Sequence, residues 1–322
     1  MYEYKSFLSG SIPSFIEFMT VSQHWSNSYE QMLRYFDNYL SEHFPKAAEL
    51  TQEMVDSWCQ KHMSESVNSC LARTNVVVAL IRYMNKRGLT KVKEPQRPRP
   101  QKCTHLPHAF TNAELKRFFY ECDHISVPKN SKDLLIRKLI ICVIFRLMYC
   151  TGIRPNEARE LKRSEVDLEN GVLNIVRTKG HDQHYTAIHE SMIDILKEYD
   201  RRMEILVPDR IYFFPKGRDS FRSKKWLREQ FSKIWKAANP GTHAVLYDFR
   251  HNYATVNINS WIDEGFDMYD KLYYLSKSMG HCSIEHTKYY YSIVPRLADI
   301  LNEKCTESFD DLVPEVLEDE VW

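Results

Sequence analysis

The stretch that decides the fold runs from Tyr247 to Tyr291: YDFRHNYATVNINSWIDEGFDMYDKLYYLSKSMGHCSIEHTKYYY. It puts Arg250 on a helix-forming segment, then a Gly280-His281 step, then three tyrosines in a row, Tyr289, Tyr290 and Tyr291. An earlier turn, Thr151-Gly152-Ile153-Arg154, brings a second arginine. A guanidinium is a planar fork that grips two oxygens at once, so a pair of them suits an anion with several oxygens. Taken alone, Arg250 reads as a surface helix cation. Arg154 reads as an ion-pair partner of Glu157, three residues along the same helix. A carboxylate behind an arginine also fixes its orientation, so both readings of Arg154 hold together.

Two arginines, a histidine and a tyrosine form a set suited to covalent attack on a phosphodiester. The tyrosine oxygen is the nucleophile, and the cations hold the charge that builds on the phosphoryl oxygens. A free tyrosine has a pKa of about 10, so it needs neighbouring cations or a base to react at neutral pH.

The chain before this region is built in two parts. Residues 1–90 read as a small all-α domain, with helical periodicity over Ile12–Met19 and Tyr29–His43. Thr51 caps a helix from Gln52 to His62, and Ser66 caps one that Gly88 ends near Arg87. Residues 91–109 form a basic linker with prolines at 95, 98, 100 and 107, which oppose helix and favour extended chain. Residues 110–296 form the second domain. Thr111 and Glu114 make a capping box, Lys132–Cys150 is a core helix that Gly152 ends, and Pro155 starts a short one. Val172–Arg177 and His184–His189 read as a hairpin turning at Lys179-Gly180-His181-Asp182, and Ile211–Phe214 as a further short strand. The fold class is therefore mostly α with a small antiparallel β-sheet, in two domains. Residues 297–322 form an acidic tail, a candidate for docking on a neighbouring protomer.

Net charge is only +1 over 322 residues, with 43% hydrophobic content. That average hides an asymmetry. Arg82, Lys86, Lys91, Lys93, Arg97 and Arg99 cluster around the linker, and the tail is acidic. With Arg73, these cations are the candidate contacts to a polyanion such as DNA. As a solvated face or a plain spacer, the linker would need no partner. The eight cysteines show no repeated short spacing, and Cys103, His105, His108, Cys122 and His124 match no usual zinc pattern. Reduced thiols and the lack of a long apolar run fit a cytoplasmic protein without a membrane partner.

These motifs resemble the tyrosine recombinases, the phage-integrase family of site-specific DNA recombinases. TGIRPNEAREL resembles the first arginine box and TKGHDQHYTAIH the hairpin of the catalytic lysine. YDFRHNYAT resembles the His-x-x-Arg box, and MGHCSIEHTKYYY the segment from the second histidine to the nucleophile. By this resemblance Arg154 and Arg250 bind the phosphoryl oxygens, and His281 donates to one of them. Lys179 protonates the leaving 5′ oxygen, with Arg177 the nearest alternative. The family spaces its Gly-His histidine nine residues before the nucleophile, which selects Tyr290 over Tyr289 and Tyr291. Tyr247 stands where the family has histidine, so the general base is open. The stretch from Arg250 to His281 is also longer than the family's usual one.

The resemblance further implies a 3′-phosphotyrosine intermediate and no metal, ATP or other cofactor. Its partners would be double-stranded recombination sites, a homo-tetramer on two duplexes clamped between the two domains, and accessory DNA-bending proteins. In a prokaryotic cytoplasm it would associate with the nucleoid. Phage integration, transposon movement and chromosome-dimer resolution all fit. A type IB topoisomerase, and a non-catalytic DNA-binding protein on the same fold, are the other readings.

Overall fold

The computed structural model describes residues 2–22, 25, 27–101, 106–128, 131–176, 183–260, 268–281, 283–284, 286–287 and 290. The acidic tail and the tip of the hairpin lie outside the described residues. The chain divides into two compact units, Met1–His105 and Leu106–Trp322.

The first unit is helical: α1 (Ser11–Val21), α2 (Asn27–His43), α3 (Gln52–Cys59) and α4 (Val67–Lys86). Thr51 and Ser66 accept from the backbone N–H groups of Met54 and Ser69, satisfying donors that a helix start leaves open. The third helix stops at Cys59, short of the expected His62. Ile12, Phe15, Leu33, Phe36, Leu40, Val77, Leu80 and Ile81 fill the core. The proline-rich stretch is stitched to this unit rather than left as a free spacer. The Gln52 side-chain amide bonds the N–H and C=O of Lys93, and the Asn68 amide bonds those of Gln101. Each amide thus imitates one rung of a β-ladder. Val92, just before the first of these rungs, is buried against the helices.

The second unit begins with α5 (Asn112–Asp123), whose capping box of Thr111 and Glu114 is formed as the sequence suggests. Next comes α6 (Lys132–Thr151), apolar nearly all round because it is the central helix: α5, α8 and α10 pack on it. After α7 (Pro155–Glu160) comes a three-stranded antiparallel sheet of β1 (Val166–Asp167), β2 (Val172–Ile175) and β3 (His184–Ala187), in the order β1-β2-β3. β2 and β3 pair with Val172 opposite Ala187 and Ile175 opposite His184. Burial alternates along β3, which turns His184 and Thr186 inward.

Helix α8 (Glu190–Leu206) leads to a small hairpin of β4 (Pro215–Gly217) and β5 (Ser220–Phe221). These strands lie just beyond the expected strand at Ile211–Phe214. That segment pairs back as a short antiparallel bridge of Tyr212 with Lys162, where Phe213 N–H meets the Leu161 carbonyl and Arg163 N–H the Ile211 carbonyl. Helices α9 (Lys224–Ala238), α10 (Asp248–Ser260) and α11 (Met268–Ser278) follow, and His286, Thr287 and Tyr290 beyond them are helical. Phe118, Phe145, Phe231, Trp235 and Phe249 interlock in its core, and Phe249 thereby anchors α10. Replacing Phe249 by Ala would cost about 3–5 kcal/mol.

Candidate active site

Two glycine turns position the arginines. Gly152 ends α6 at φ 64° and Gly280 follows α11 at φ 61°, a left-handed backbone that side chains disfavour. A ring closes over each: a Cβ on Gly152 would lie 2.4 Å from Tyr253 Cδ1, and one on Gly280 2.5 Å from the His184 ring. Carbonyls at these helix ends carry partial negative charge, which favours cations.

Arg250 is placed by α10. Asp248 starts that helix: its carboxylate accepts from Val245 N–H at 2.8 Å. Two residues on, Arg250 is 1% exposed. Its Nη1 donates to the Gly152 carbonyl at 2.7 Å, and its Nη2 to the Met279 carbonyl at 2.6 Å and to His281 Nε2 at 2.9 Å. Its Nε–H is buried with no hydrogen-bond partner among the described residues. Burial and the neighbouring Arg154 lower its affinity for its proton.

Arg154 stands at the start of α7. Glu157, nearly fully buried, accepts from the Arg154 backbone N–H and from its Nη1, both at 2.7 Å. The Arg154 Nη2 donates to the Gly280 carbonyl at 2.8 Å. The ion-pair reading and the orienting reading of this arginine are therefore the same contact. Each arginine reaches across to the other's side of the site, which ties α6, α7, α10 and α11 together.

His281 accepts from Arg250 at Nε2, so its Nδ1 carries the proton and donates to Thr287 Oγ1 at 2.7 Å. The Tyr290 ring stacks on His281, centroids 6.0 Å apart and 10° from parallel. Tyr290 is only 4% exposed, among Ala254, Ile258, Leu272, Leu275 and Met279. Burial pushes its hydroxyl up to about 12, while Arg250 beside it pulls the other way. Tyr247, at the mouth, is 40% exposed. Between Tyr247 and Tyr290 sits His251, with ring centroids 5.1 Å and 5.5 Å away.

The structure thus brings Arg154, Tyr247, Arg250, His281 and Tyr290 into one cluster. Lys179 and Arg177, like Tyr289 and Tyr291, lie outside the described residues. His251, Thr287, His184 and Thr186 join the site; each lies inside a stretch quoted above, but none was given a role there. The β-alternation shows the last two as inward-facing, but nothing in the sequence says which turn they face.

One of the expected DNA contacts is corrected. Arg73 is buried and spent inside the first unit: it pairs with Glu65 at 2.7 Å and donates to the Trp58 and Gln60 carbonyls. A helical register that points it at α3 removes it from any surface. Arg82 and Arg97 are exposed and share Glu94. Lys86, Lys91, Lys93 and Arg99 are exposed. Among the described residues no three His, Cys, Asp or Glu side chains converge as a metal site, and no helix is long and apolar enough to cross a membrane.

Comparison with known proteins points to one family. A tyrosine recombinase of Agathobacter rectalis is 29% identical over 163 residues, 50% of this chain and 50% of that protein. The match therefore spans half the length of that relative. Tyrosine recombinase XerA of Thermococcus kodakarensis is 26% identical over 234 residues, 71% of this chain and 73% of that one. Among solved structures, the XerH site-specific recombinase bound to palindromic difH substrate superposes with a TM-score of 0.60 at 20% identity, covering 86% of this chain and 78% of that chain. At that identity the likeness speaks for the fold, which is the one built above. The Phage integrase family profile matches residues 109–295, the span that carries both arginine turns, His281 and Tyr290, and the chain belongs to that family.

Proposed function

We propose that the protein is a site-specific DNA recombinase that cuts and rejoins duplex DNA through Tyr290. The observation that carries this reading is the convergence of Arg154, Arg250 and His281 beside the buried Tyr290. The Tyr290 oxygen attacks the scissile phosphorus and its proton leaves. The bond to the 5′ oxygen breaks, giving a 3′-phosphotyrosine link and a 5′ hydroxyl. A 5′ hydroxyl from the partner duplex reverses the step, so the bond energy is conserved and no ATP is required.

The arginine forks stabilise the charge on the non-bridging oxygens as the transition state forms. The Nε–H of Arg250 is one donor that the protein's own bonds leave open among the described residues. Lys179 is the proposed acid for the 5′ oxygen. Two groups stand near the nucleophile as candidate bases. Tyr247 is a phenol and a weak one, and His251 is the imidazole beside the nucleophile. Exposed Lys86, Lys91, Lys93 and Arg99 suit the phosphate backbone. Exchange between two duplexes cuts four strands, one nucleophile each, so the working unit is a homo-tetramer.

A nicked duplex whose short 5′ fragment diffuses away tests this. The expected result is trapped protein–DNA adduct, and joining of the cut strand to a second duplex. Adduct without joining favours a type IB topoisomerase, and no adduct favours a non-catalytic DNA-binding protein.

A further inference from the structure

Three consecutive carbonyls at the end of α11 are each held by a different element. The Ser278 carbonyl accepts from the Thr186 hydroxyl of β3 at 3.0 Å. The Met279 carbonyl accepts from Arg250 at 2.6 Å, and the Gly280 carbonyl from Arg154 at 2.8 Å. Thr186 is fully buried, and its β3 neighbour on the same face, His184, lays its ring on the side of Gly280 where a Cβ would be. The turn is therefore fixed from the sheet side by Thr186 and His184, and from the helix side by the two arginines. Peptide groups in one turn share atoms: Ser278 C=O and Met279 N–H lie in one plane, Met279 C=O and Gly280 N–H in the next. Successive planes meet at a shared Cα, and with Gly280 held left-handed against the His184 ring, a tilt of the first carbonyl is passed on through the Met279 and Gly280 backbone dihedrals to the two that bind the arginines.

We propose that Thr186 and His184 are positioning residues for the strand-transfer reaction, setting the two guanidinium forks and His281 through the Ser278–Gly280 turn. Thr186 acts on the Ser278 carbonyl, and His184 packs on Gly280. Their influence runs through backbone carbonyls, which no motif reading of side chains would find. Thr186 supplies a directional bond, and His184 supplies a wall that keeps the turn in its left-handed form. The inference rests on the recombinase reading for its catalytic consequence, though not for its structural one.

The test uses the full chain with Thr186→Val, which keeps the shape and removes the hydroxyl, and Thr186→Ser, which returns it. Single-turnover cleavage of the nicked duplex should fall about tenfold in Thr186→Val, the effect of one hydrogen bond. Duplex affinity should hold within about twofold, and Thr186→Ser should recover most of the rate. In parallel, proteins made with ¹⁵N-arginine report the Nε–H signals of Arg154 and Arg250, identified by their loss in Arg154→Lys and Arg250→Lys. Both signals should shift in Thr186→Val and return in Thr186→Ser, without DNA present. Unmoved signals together with wild-type cleavage by Thr186→Val would overturn the proposal, as would a rate that Thr186→Ser does not recover. Failure of the unaltered protein to form adduct would sink the recombinase reading instead, and the arginine signals would still decide this one.

Discussion

Arg250→Lys isolates what the fork geometry contributes, because it keeps the charge and removes the fork. Arg250 makes three bonds from two nitrogens that point different ways: one to Gly152, two toward Met279 and His281. A lysine ammonium is a single point and cannot span both turns. At least one of these charge-assisted bonds disappears, each contributing about 1.5–3 kcal/mol, and a buried carbonyl is left without its donor. Stability should fall by about 3 kcal/mol, read as a lower urea midpoint. The transition state also loses a fork on its phosphoryl oxygens, which predicts single-turnover cleavage slower by ~10²–10³-fold. Duplex affinity should change little, since one phosphate contact among several is altered. A lysine variant that cleaves within about tenfold of the unaltered rate, or melts at the same urea concentration, would refute the reasoning that both turns hang on this guanidinium.

Arg73→Met should lower stability by about 3–5 kcal/mol, because Glu65 keeps a partly buried charge without its partner, and should leave DNA affinity of the folded protein unchanged. Calorimetry and a binding isotherm separate the two. Changing Lys91, Lys93 and Arg99 together to Ala should flatten the plot of log K against log salt by up to about 0.9 for each phosphate no longer neutralised. Adding Arg97→Ala should flatten it less, since Arg97 already faces Glu94. Tyr290 has a folded pKa pushed up to about 12 against about 10 unfolded, so it binds its proton more tightly in the folded state. Its stabilisation is whole below pH 10 and is lost as pH rises from about 10 to 12, a slope that Tyr290→Phe should reduce in alkaline unfolding curves.

The elements with strong local signals were legible in the sequence. The capping box at Thr111, the Gly152 stop and the Pro155 start are each written in a few adjacent residues, and each formed as expected. Arg154 and Glu157 were legible for the same reason, being three residues apart on one helix. What the sequence did not reveal depends on long-range partners. Arg73 looked like part of a basic face until α3 turned the carbonyls of Trp58 and Gln60 toward it. The strand-like piece near Ile211 was legible, but its partner was not: Tyr212 bridges to Lys162, about fifty residues away in the chain. The contacts of Thr186 and His184 with the Ser278–Gly280 turn join positions about ninety residues apart. Their inward register follows from alternation, but their target follows only from the packing of α11 on the sheet.

The central claim is that one tyrosine of three attacks the phosphate. The most direct measurement is mass spectrometry of the peptide attached to DNA after trapping on a nicked duplex. Attachment is expected at Tyr290, beside Arg250 and stacked on His281, with no adduct from Tyr290→Phe and adduct retained by Tyr289→Phe and Tyr291→Phe. Attachment at Tyr289 or Tyr291 in the unaltered protein would contradict it.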